Sequence, residues 1–157
     1  MTFILRAQLD ADVKTAFALY QKYIEHNKRL FPGSALALLE HPDWQNGGKF
    51  SRHPHDGYLK NLSFDRVEKQ KDTIELVISK PWADLDVHIK YNYVIDFDFP
   101  SNSLVFNAWG YDQFKFYNPY DKYGIKETNM FQHEIEWVGG VVWTVTAAEI
   151  EVIWKDI

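Results

Sequence analysis

The chain contains no cysteine. Disulfides, thiolate zinc sites and thiol nucleophiles are all excluded by that one absence. A chain of 157 residues does without such staples, since it is long enough to close one substantial core and too short for two. Long apolar runs are also missing: no segment approaches the roughly 20 residues that cross a bilayer as a helix, so no membrane partner is expected. Met1-Thr-Phe-Ile-Leu-Arg6 lacks the cationic start of a signal peptide and is soon followed by Asp10 and Asp12, which favours a cytoplasmic protein. Basic charge is in short supply, with 17 Lys and Arg against 22 Asp and Glu, a net charge of −5 and a pI near 5.6. Affinity for a phosphate backbone comes from clustered Lys and Arg, and the nearest cluster, Lys22, Lys28 and Arg29, is interrupted by Glu25. Direct binding of nucleic acid is not expected.

Catalytic signatures are absent too. There is no glycine-rich phosphate loop, Gly-x-Ser-x-Gly elbow, His-Glu-x-x-His pair or dinucleotide fingerprint. No cofactor is expected, and a role other than catalysis is the first reading.

What the chain has in quantity is aromatic side chains, 17% of the residues, more than a core alone usually needs. The pattern around them is legible. Thr2 to Leu9 alternates as an edge strand. Asp10 or Asp12 caps a helix over about 12–29, where Val13, Phe17, Tyr20 and Ile24 recur at helical spacing. Leu30-Phe-Pro-Gly33 ends it, and a shorter helix over Ser34 to Glu40 stops at His41-Pro42. Residues 43–58 are rich in breakers and read as a long loop. From Leu59 the period becomes two. Asn61–Glu68 and Thr73–Ser79 form a hairpin, and Val87–Phe99 is a strand with apolar odd positions. Pro100–Ser103 turns the chain, Leu104–Trp109 returns it, and Tyr117–Tyr123 is a tyrosine-rich loop. Met130–Trp137 and Val141–Trp154 flank Gly139-Gly140 as a last hairpin, with a bend near Ala147-Ala148 where the apolar parity changes. No repeat or linker interrupts this order. It predicts a single α+β domain over 1–157: an N-terminal strand and one or two helices packed on a curved, mainly antiparallel sheet of six or seven strands.

Several constellations are candidates for function. From Asn129 onward five carboxylates (Glu134, Glu136, Glu149, Glu151, Asp156) face one basic residue, Lys155, among Phe131, Trp137, Trp143 and Trp154. Glu134/Glu136 and Glu149/Glu151 sit two apart on strands, so each pair shares a face and repels itself until a cationic partner relieves it. Tyr117, Tyr120 and Tyr123 add rigid contact area with hydrogen-bonding tips. Together these predict binding of another, basic protein. An inhibitor of the immunity or antitoxin type, sequestering a basic bacterial toxin, fits this profile.

The alternative reading is a small-molecule-binding protein or enzyme with a His/Tyr-lined pocket in a cone-like α+β fold. His133 shares its parity with Phe131, Ile135 and Trp137, which places it on the apolar face, where Tyr91 or Tyr93 complete a polar lining. Asp86 and His88 share a side of their strand, a carboxylate beside a base. In the long loop, His53, His55 and Asp56 have ligand types suited to a divalent metal, provided that His88, His133 or Asp86 comes near. Self-association through aromatic patches is a third reading.

Overall fold

A computed structural model of the chain describes residues 12–45, 50–68, 71–100, 108–118 and 129–157. The strand expected over Thr2 to Leu9 lies outside them. Helix α1 (Val13–His26) is capped by Asp12, whose carboxylate accepts the Thr15 N–H at 3.1 Å and the Thr15 hydroxyl at 2.8 Å. A 3-10 turn over Lys28–Leu30 leads to Pro32 and then α2 (Gly33–Leu39). Helix α2 ends before His41-Pro42, as the sequence suggests, and Pro42 then opens a separate turn, α3 (Pro42–Gln45), because a missing N–H and a fixed φ suit a first helical position, and His41 Nδ1 accepts the Asp43 N–H at 3.1 Å.

Six strands follow: β1 (Tyr58–Glu68), β2 (Lys71–Lys80), β3 (Leu85–Asp98), β4 (Trp109–Tyr117), β5 (Met130–Trp137) and β6 (Val142–Asp156). They form one antiparallel sheet in the order β1-β2-β3-β6-β5-β4, so the fold is α+β on a curved sheet as predicted. Strand β4 corrects the sequence reading, in which the returning strand ends at Trp109. Alternation in fact continues through Asp112, Phe114 and Phe116, opposite Ile135, His133 and Phe131 of β5. The bend expected near Ala147-Ala148 is shared with β3. Core-facing positions shift there from Tyr91 to Val94 and from Ala147 to Ile150, Tyr93 takes a left-handed φ of 55°, and the register slips between Val94 and Asp96.

One core joins the helices to this face of the sheet. Tyr20, Ile24, Phe31, Ala35, Leu38 and Trp44 pack with Val87, Ile89 and Tyr91 of β3 and with the inward rings of β4 to β6. Burying a ring such as Trp44, 6% exposed, contributes on the order of 2–3 kcal/mol. Phe17, which the helical spacing assigns to the core, is 42% exposed. Among the described residues no helix is long and apolar enough to cross a membrane.

Candidate functional site

Strand β4 is an edge of the sheet, and α1 covers part of it. Tyr20 Oη accepts the backbone N–H of Phe114 at 2.6 Å and Tyr23 Oη that of Phe116 at 3.1 Å. These amides therefore point away from β5. By the two-residue period of an antiparallel pair, the N–H and C=O of Asp112 point outward as well. Beyond Tyr20 the edge opens onto a cavity of about 350 Å³. Phe17, Tyr20 and Gln21 of α1 form one wall, Trp44 and Gln45 of α3 a second, and His53, His55 and the Gly110–Asp112 edge a third.

The third wall depends on a loop that the sequence marks only as rich in breakers. Residues 50–57 are pinned from several directions. Buried Lys80 donates from Nζ to the carbonyls of Ser51, at 2.7 Å, and His53. Trp154 Nε1 donates to the Arg52 carbonyl at 2.7 Å, and the Asp56 N–H to the Trp109 carbonyl at 2.9 Å. Asp56 has a left-handed φ of 64°, tolerable for an Asp, and Gly57 follows it where a Cβ would press into Ile78 and lie 2.8 Å from the Pro54 carbonyl oxygen. Burial pulls the Lys80 ammonium down to about 8, against the opposing field of Asp56.

So held, the loop inserts His53 between Trp44 and Trp109 and against Asp112. Asp112 is the centre of a buried polar chain. Its Oδ1 lies 3.0 Å from His53 Nε2 and its Oδ2 lies 2.8 Å from His133 Nε2, with Trp109 Nε1 at 3.4 Å from Oδ1. His133 Nδ1 is 2.7 Å from the hydroxyl of Tyr91, and its ring stacks on Phe114 at a centroid distance of 4.0 Å. Tyr91 and His133 are fully buried, and His53 and Asp112 are each 7% exposed. Burial by itself would raise the pKa of Asp112. The field of the His53 ring and the hydrogen bonds from His133 and His53 outweigh it and hold the carboxyl well below the usual range. Burial also keeps the phenols of Tyr91 and Tyr20 protonated far beyond their ordinary range.

These partners fix the tautomers. The His55 N–H donates to His53 Nδ1 at 3.0 Å, so the ring proton of His53 is on Nε2, facing Asp112. His133 donates from Nε2 to Asp112 and accepts the Tyr91 proton at Nδ1. His55 is the reverse. Its Nδ1 hydrogen-bonds the Gly110 carbonyl, which only accepts, so the proton sits on Nδ1 and Nε2 keeps a lone pair. The nearest charged atom to that Nε2 is Asp56 Oδ2 at 3.7 Å, beyond hydrogen-bonding reach. Gly110 is required at this point, because the register slips there and a Cβ would stand 2.7 Å from the Glu136 carbonyl oxygen.

The residues singled out by sequence are distributed as follows. Of the alternative pocket set, His133 and Tyr91 come together, and Asp86, His88 and Tyr93 do not join them. Asp86 and His88 occupy the opposite face of β3, where Asp86 pairs with Lys60 at 2.5 Å and His88 Nδ1 lies 3.5 Å from Glu75. Tyr93 is turned outward by its left-handed backbone and lies under Lys71 Nζ. His53, His55 and Asp56 do not converge as metal ligands, since both Nδ1 atoms and His53 Nε2 are taken up in hydrogen bonds. Among the described residues no group of three or more His, Asp or Glu is placed to hold a metal ion. Of the acidic set, Glu149 and Glu151 are exposed on β6, whereas Glu134 and Glu136 are buried, and Glu134 is paired with Lys115 and Gln113. Polar parity placed those two glutamates correctly on one face, but that face of β5 is buried as well. Tyr117 ends β4 half-buried, and Tyr120 and Tyr123 lie outside the described residues. Sequence reasoning missed Asp112, whose signal is a carboxylate in register with Phe114 and Phe116. Compared with protein-family models, with curated proteins and with solved structures, the chain matches none, and the reading of the site rests on its own geometry.

Proposed function

We propose that this protein binds a small molecule in the cavity between α1, α3 and the β4 edge, and presents His55 Nε2 to it as a hydrogen-bond acceptor and base. One observation carries the reading. Strands β3, β4 and β5 and the 50–57 loop each contribute a side chain to the chain Tyr91–His133–Asp112–His53, and that chain ends on the cavity wall. A buried charge in such a network costs stability relative to apolar packing of the same volume, which points to a use other than holding the fold. The cavity has the size and the mixed lining of small-ligand sites: aromatic walls with a few convergent polar groups. Its chemistry suits proton acceptance, because the Gly110 carbonyl holds the Nδ1–H of His55 and leaves Nε2 as the accepting nitrogen.

The inhibitor reading has less to rest on. Of the four paired glutamates, Glu149 and Glu151 alone are exposed, and Glu151 stands opposite Lys90 across β3 and β6.

A fragment library screened by thermal shift and ligand-observed NMR tests the proposal. Gln21 is exposed on α1 at the cavity wall, so Gln21→Trp fills the opening with little cost to the core. Fragments are expected to stabilise the wild type and to lose that effect in Gln21→Trp. Absence of any binding fragment, or equal binding to both proteins, removes the cavity from the account.

A further inference from the structure

The charge of the cavity narrows what it can hold. Among the described residues its lining includes Asp112 and neither lysine nor arginine. His53 accepts the His55 backbone N–H at Nδ1 and turns its Nε2–H to Asp112, and His55 turns its Nδ1–H to the Gly110 carbonyl, so what His55 offers the cavity is the Nε2 lone pair. The buried cation nearby, Lys80, donates to the Ser51 and His53 carbonyls and feels the field of Asp56, so two carboxylates stand against one ammonium. Asp112 acts on a ligand without touching it, since in a poorly solvated wall a charge reaches several ångströms. The groups left to meet a ligand are mainly acceptors and aromatic rings. His55 Nε2 and the outward C=O of Asp112 accept hydrogen bonds, and Phe17, Tyr20, Trp44 and Tyr111 bring four rings, whose faces attract cations, to the lining of one space.

From these groups together we infer that the cavity takes a small organic cation, an ammonium carried on an apolar or aromatic body. The inference rests on the proposal that the cavity is a binding site. An anion of the same shape meets the fields of Asp112 and the nearby Asp56 and, among the described residues of the lining, neither lysine nor arginine. A neutral analogue fills the same space without the attraction to rings and carboxylates.

Three probes of one shape separate the possibilities: benzylammonium, benzyl alcohol and benzoate, each titrated against the full chain near neutral pH by NMR. Benzylammonium is expected to bind about ten-fold more tightly than benzyl alcohol, with no detectable benzoate binding. Asp56→Asn, which keeps a residue tolerant of the left-handed backbone at a half-buried position, is expected to reduce the preference for the ammonium about three-fold. Asp112→Asn is expected to reduce it further where that variant folds. Benzyl alcohol or benzoate binding as tightly as benzylammonium overturns the charge inference and leaves the cavity a binding site. Failure of all three at millimolar concentration overturns both.

Discussion

Lys80 gives the sharpest test of how the loop that carries His53 and His55 is held. Its side chain is fully buried, and its ammonium is tied to two loop carbonyls. Burial lowers its pKa from 10.5 to about 8. A base whose folded pKa lies below its unfolded one binds more protons in the unfolded chain between the two values, so stability rises with pH across that window. Below about 8 both states are charged and the penalty is constant. For the shift given, stability rises by about 2 kcal/mol between roughly pH 7 and pH 9.5. The two carbonyls favour the charged form, which makes that figure a ceiling. The window closes near pH 10, where Tyr20 and Tyr91, protonated longer in the folded state than in the unfolded one, begin to lower stability. Urea unfolding followed by tryptophan fluorescence at a series of pH values reads the slope directly. Lys80→Met keeps an unbranched side chain and removes the titration, so its profile is expected to lack the rise. A flat wild-type profile, or an equal rise in Lys80→Met, would refute the reasoning.

Three further substitutions test other parts of the account. Gly57→Ala forces a methyl group into Ile78 and the Pro54 carbonyl, and is expected to lower stability by about 1–3 kcal/mol in urea unfolding. His133→Ala removes the donor to Asp112 and the acceptor of the Tyr91 hydroxyl while opening a buried void, with an expected cost of about 3–5 kcal/mol; a loss under 1 kcal/mol would mean the chain is not formed in solution. Glu134→Lys places a second ammonium at a buried position beside half-buried Lys115, so it is expected to lower the melting temperature sharply, whereas a surface docking residue would leave it unchanged.

Much of the fold is legible in the sequence because its signals are local. The Asp12 cap with helical spacing marks α1, and strict alternation marks β3. The parity of His133 with Phe131, Ile135 and Trp137 places it in the core. What the sequence hides depends on long-range contacts. The 50–57 loop looks like exposed punctuation, and its order comes from Lys80, Trp109 and Trp154, 27 or more residues away by the Lys80 contact. Asp112 is hidden for the same reason: one carboxylate on an aromatic strand says nothing until His53 and His133 arrive beside it. Tyr93 and Glu136 fail in a third way. Period two assigns a face and says nothing of whether the backbone turns left-handed, as at Tyr93, or whether a polar face is itself covered, as at Glu136.

The central claim is that His53 and His133 are locked in one chain with Asp112 while His55 keeps a free Nε2 toward a ligand cavity. Long-range proton–nitrogen correlation spectra of the histidine rings, recorded with and without benzylammonium, test it most directly. The account expects protonated Nε2 on His53 and His133, protonated Nδ1 on His55, and ligand-induced shifts greatest at His55. Rings of His53 and His133 that exchange tautomers freely, or a His55 signal indifferent to ligands that bind elsewhere on the chain, would contradict it.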